Sequence, residues 1–117
     1  MKYDVRGTQL SPGADAHVVA KINQDRNETK LEIQSKNLTP PDRLLEGGTA
    51  YLVWVRKSSD NPWHRLGTLE LVDEGRAGSA ELTVSEASFD MLISAEKGPA
   101  VASPSGKSIF EQRIQEE

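Results

Sequence analysis

The chain contains no cysteine. Disulfide staples, thiolate nucleophiles and cysteine-ligated zinc are therefore excluded. Aromatic residues are scarce, with two each of Trp, Tyr and Phe in 117 residues, which leaves little to line a large ligand cavity. No apolar run approaches the roughly 18 residues of a membrane-spanning helix. The start, Met1-Lys2-Tyr3-Asp4, opens no signal-peptide apolar region. Basic residues are neither in excess nor clustered. Fourteen Lys and Arg stand against 18 Asp and Glu, for a net charge of −4. That balance argues against a nucleic-acid partner, which needs concentrated Lys and Arg, and it supplies no polybasic segment for anionic lipid.

What is present is period-2 alternation, the mark of half-buried strands. Ala16, Val18, Ala20 and Ile22 share one strand face, and Thr29, Leu31 and Ile33 share another. A polar turn at 24–27 joins these runs into an expected hairpin. Pro40-Pro41 cannot sit inside a central ladder, so the stretch from Asn37 through Gly47-Gly48 reads as a crossover on which the chain changes sheets. Residues 51–56, YLVWVR, are apolar on both faces and read as a central, covered strand. Runs at 66–71 and 80–84 follow, separated by the turn Asp73-Glu74-Gly75, and together suggest a β-meander around Trp54. Phe89, Met91, Ile93 and Ala95 alternate as a further strand. A Pro/Gly/Ser loop spans 98–106, and a short last strand covers 107–110. Residues 3–6 read as an edge strand at the front.

This pattern predicts an all-β chain: one Ig-like or fibronectin-III-like antiparallel sandwich of seven to eight strands over residues 1–110, with a polar tail at 111–117. The expected core comprises Trp54, Val53, Leu69, Leu82, Phe89 and Ile93.

Catalytic ingredients do not assemble into a motif. No serine lies in a G-x-S-x-G or S-x-x-K context. Gly47-Gly48 lacks the Lys-Ser/Thr of a phosphate-binding loop and precedes a strand. Asp73-Glu74-Gly75 lacks the alternating oxygens of a calcium loop and reads as a hairpin turn. His17 lies opposite a core face and is expected to be solvated. The two N-x-T triplets, at Asn27 and Asn37, matter only in a eukaryotic secretory setting. The most suggestive group is Asp60, Asn61, Trp63 and His64, where a loop presents an indole beside polar side chains. Such a group suits an apolar partner or a sugar, whereas the bland alternative is Trp63 folding down as a cap on the sandwich.

Tyr51-Leu52-Val53-Trp54-Val55, Leu66-Gly67-Thr68-Leu69, Asp73-Glu74-Gly75, the strand ending at Glu96, Gly98-Pro99 and Pro104-Ser105-Gly106 come in an order and spacing that resembles the extracytoplasmic domain of anti-sigma-K factors. The likeness covers residues 50–110, about half the chain. It implies an Ig-like sandwich outside the bacterial cytoplasmic membrane, in the periplasm or at the cell surface. It transfers no catalytic residues and no sigma-factor binding, which belongs to a separate helical domain in that family.

The expectation is thus a non-enzymatic interaction or sensory module of the cell envelope, with a carbohydrate- or small-ligand-binding module as the alternative. Its partner is expected to be a protein or an envelope component, without cofactor, metal or nucleic acid. Strand addition at residues 3–6 or at the last strand is the route by which a homodimer would form.

Overall fold

In the computed structural model, which describes residues 1–115, the alternating segments form nine strands. They are β1 (Lys2–Arg6), β2 (Asp15–Asn23), β3 (Glu28–Lys36), β4 (Ala50–Arg56), β5 (His64–Thr68), β6 (Glu70–Val72), β7 (Ala77–Val84), β8 (Phe89–Glu96) and β9 (Ser108–Ile114). One α-helical turn, α1 (Pro41–Leu44), and a 3-10 turn at Asp73–Gly75 interrupt them. The strands make two antiparallel sheets, β1-β2-β3-β7-β6 and β5-β4-β8-β9, which face each other as a β-sandwich.

The β2–β3 hairpin forms as its pattern predicts, with Ala20 opposite Leu31 and Val18 opposite Ile33. These apolar pairs point into the sandwich and are essentially water-free. Asn27 turns the hairpin at a left-handed φ of 50°, a conformation that Asn tolerates better than most residues. Its amide then ties the hairpin to the loop before β8, accepting from the Ala87 N–H and donating to Glu86.

The Pro-rich crossover does carry the chain from one sheet to the other, from β3 to β4. Pro40 and Pro41 open α1, where proline's fixed φ and missing N–H fit the first turn. Buried Leu38 anchors the crossover, its N–H donating to the Arg76 carbonyl. Tyr51 reaches from β4 and donates its hydroxyl to the Thr39 carbonyl. Burial, and then the nearby Asp42 charge, pushes the Tyr51 phenol far above its ordinary value, so it remains a donor throughout the physiological range.

The expected meander is replaced by a different connection. β4 pairs with β5 and β8, while β7 lies in the other sheet between β3 and β6. The stretch 66–71 divides at Leu69. Its N–H still donates to Tyr51 of β4, but the next residue, Glu70, pairs with Ser79 of β7. Leu69 is buried at this corner, and splitting one expected strand into two accounts for the rise to nine. Gly67 lets β5 pass close to β7, since a Cβ there would lie 2.7 Å from a Leu82 methyl. For the same reason Leu82, expected in the core, is only half-buried: it packs at the sandwich margin where β5 approaches β7. Val53, Leu69, Phe89 and Ile93 take their expected core places. The last strand also outruns its expected end. Ile114 is buried opposite Phe89, which carries β9 four residues into the segment read as a tail; residues 116–117 lie outside the described residues.

The opposite margin is closed by the start of the chain. The Thr8 N–H donates to Ile109 (2.9 Å) and its hydroxyl to Ser108 (2.7 Å). Tyr3 and Gln115 bond each other near the other end of β9. Both edges named for strand addition are thereby guarded: β9 is bracketed by Thr8 and Tyr3, and β1 exposes the charges of Lys2, Asp4 and Arg6.

Two substitutions test this frame. Tyr51→Phe leaves the Thr39 carbonyl without its donor and should lower unfolding free energy by about 1–2 kcal/mol, seen as a lower urea midpoint with an unchanged slope. At Gly7 an added Cβ would sit 1.9 Å from the Ser11 carbonyl oxygen. Gly7→Ala must therefore move backbone, and a loss of about 1–3 kcal/mol is expected.

Candidate functional site

β4 is buried on both sides. Tyr51, Val53 and Val55 enter the core between the sheets, whereas Ala50, Leu52 and Trp54 point outward. There they form a second apolar cluster with Leu92 of β8, covered by Trp63 from the β4–β5 loop and Val101 from the β8–β9 loop. Trp54 is thus buried as expected, but on the far face of its sheet. Its indole N–H donates to Ser94 (2.9 Å), and Ser94 donates to the Glu96 carboxylate (2.6 Å). The Ser105 N–H donates to the same carboxylate oxygen (2.9 Å), and its hydroxyl donates to Ala95. Glu96 is only 2% exposed, and these donors satisfy its Oε2 while pinning the β8–β9 loop over the cluster.

Next to this cluster the outer face becomes polar along one row. Arg56, Asp90 and Arg113 occupy directly opposed positions on β4, β8 and β9. Arg56 Nε donates to Asp90 Oδ2 (3.0 Å), and Arg113 Nη1 donates to Asp90 Oδ1 (3.1 Å) and to the Lys57 carbonyl (2.8 Å). The Arg56 guanidinium also lies 4.2 Å from the centre of the Trp63 ring, a cation–π contact. These residues, with Glu111 and Gln112, line a cleft of about 270 Å³. Partial burial alone would raise the Asp90 pKa, but hydrogen bonds from Arg56 and Arg113, and then their charges, outweigh it and hold the carboxyl below its ordinary value.

The predicted quartet does not converge on one point. Trp63 turns back onto the sheet, half-buried against the second cluster. Asp60, Asn61 and His64 remain exposed. Asn61 closes a local turn, accepting from the Ser58 hydroxyl and donating its N–H to the Ser58 carbonyl. His64 and Asn61 line a neighbouring cleft, which shares Arg56, beside Lys57, Glu86 and Phe89. Consecutive residues entering a strand point to opposite sides, which is why Trp63 and His64 part company. His17, expected to be solvated, is half-exposed and bonds Asp4 at 2.8 Å on the other sheet.

Arg56, Asp90 and Arg113 were missed as a group. Arg56 follows Leu52 and Trp54 at period 2, which placed it on their face. The alignment with Asp90 and Arg113 depends on strand register, and Arg113 fell in a stretch read as tail.

No protein-family model matches the chain, and neither a curated protein nor a solved structure does.

The pH dependence of the row is testable. Because the folded Asp90 carboxyl titrates below its unfolded value of about 3.9, its stabilisation is present above that value and is lost as pH falls through the folded pKa. Asp90→Asn should therefore lower stability near neutrality by about 1 kcal/mol, with the difference from the parent shrinking on acidification. Denaturant melts at a series of pH values read this directly.

Proposed function

We propose that this protein is a non-enzymatic binding module, an interaction or sensory domain of the bacterial cell envelope. It acts outside the cytoplasmic membrane and engages a protein or envelope component through the outer face of the four-stranded sheet. The observation that carries this reading is the Trp63–Arg56–Asp90–Arg113 row. Trp and Arg are the residue types that concentrate binding energy at interfaces. Here they are held in place by cross-strand ion pairs and a ring contact, so little side-chain order remains to be gained on association. The extracytoplasmic setting rests on the resemblance to the anti-sigma-K domain. The alternative, a carbohydrate module, uses the same indole, but Arg56 covers a ring face that a sugar would stack on.

A photo-crosslinking residue at position 63, in the protein expressed in its native host, provides the test. A discrete crosslinked partner is expected, recovered with the cell envelope. Trp63→Ala and Arg56→Ala should each weaken its binding about tenfold, or about 1.4 kcal/mol, while retaining a cooperative melt. Unchanged affinity in both variants would refute the reading. Saturable shifts of the Trp63 indole on titrating neutral oligosaccharides, without a protein crosslink, would favour the carbohydrate module instead.

A further inference from the structure

Resting on that reading, the geometry points to an acidic segment of a partner protein as the occupant of the cleft beside Trp63, anchored by one Asp or Glu side chain on Arg56 and Arg113. A guanidinium carries five N–H donors. Among the described residues, Arg56 uses Nε and Arg113 uses Nη1 for protein acceptors. The Nη atoms of Arg56, and the Nε and Nη2 of Arg113, make no hydrogen bond within these residues, and the two side chains are 27% and 38% exposed. Two guanidinium groups aimed at one carboxylate thus keep most of their donors unused by protein, and planar forks match a second carboxylate better than a point charge does.

The placement of the basic groups favours the same ligand. On a chain of net charge −4, this sheet face presents three guanidinium groups. Arg65, opposite Trp54, joins Arg56 and Arg113, and its recorded partner is the Val101 carbonyl rather than an acid. Against them stand Asp90, already doubly paired, Glu96, buried and held by Ser94 and Ser105, and Glu111 on the cleft wall. The cleft, at about 270 Å³, falls below the usual range for whole small-molecule sites. That size suits a single anchoring side chain, with a flanking apolar residue resting on the rim of Trp63. Glu111 repels an incoming acid, so the anchor should sit on the Trp63 side, and removing that charge should strengthen binding.

The experiment is a ¹⁵N-NMR titration of the intact protein with hexaglutamate at about 20 mM salt, following the Trp63 indole and the Arg56 and Arg113 Nε–H signals. Saturable shifts are expected, fading at about 300 mM salt. Arg113→Gln and Arg56→Lys should each weaken binding about fivefold, and Glu111→Gln should tighten it about twofold. Arg6→Gln, on the other sheet, should change nothing. Absence of shifts overturns the inference. So does equal weakening by Arg6→Gln, or inorganic phosphate producing the same shifts at the same concentration, because either makes the contact generic. The two proposals fail separately. If the crosslinked partner depends on Trp63 but hexaglutamate does not compete with it, the acidic anchor is wrong and the binding module stands. If hexaglutamate binds as described but no partner crosslinks at position 63, the binding-module reading falls.

Discussion

A strand with apolar side chains on both faces cannot lie at the surface of a two-layer sandwich unless something covers its outer side. β4 imposes that condition here. Tyr51, Val53 and Val55 satisfy it inward by joining the core between the sheets. Leu52 and Trp54 require a second cover on the solvent side, and two loops supply it through Trp63 and Val101. The cover is held by polar contacts that the cluster itself positions. Trp54 orients Ser94, Ser94 orients Glu96, and Glu96 receives the Ser105 N–H from the β8–β9 loop. Without the bulk of Trp54 the loops would rest only on Ala50, Leu52 and Leu92.

The charged row depends on the same arrangement. Trp63 descends onto Leu52, Trp54 and Leu92, and that brings its ring within reach of the Arg56 guanidinium. Cross-strand register then lines Arg56 up with Asp90 and Arg113. The Asp90 carboxylate, drawn below its ordinary pKa by the two arginines, fixes both guanidinium groups in the row. The side chains of this row are thus ordered by the fold itself.

Much of the architecture was legible in the pattern. The β2–β3 hairpin, the sheet-changing Pro40-Pro41 crossover and the two-faced central strand all follow from local rules: alternation, proline's missing donor, and the absence of polar positions in YLVWV. The errors fall where a decision depends on something distant. Leu69 reads as mid-strand, yet it is the corner where the chain leaves β4 for β7. Residues 111–114 read as polar tail because only Ile114 is apolar, but β8 offers Phe89 to pack beside it. The quartet around Trp63 was judged as one loop tip, and strand geometry sent Trp63 and His64 to opposite sides.

The sequence alone determined that this chain would be a sandwich of short antiparallel strands without cysteine chemistry. Those properties follow from composition and period, which are local. Only the tertiary structure decided which sheet each strand joins, which face Trp63 covers, and that Arg56, Asp90 and Arg113 stand in one row. Register is settled by the combined packing of two faces and two margins, and no window of neighbouring residues contains that information.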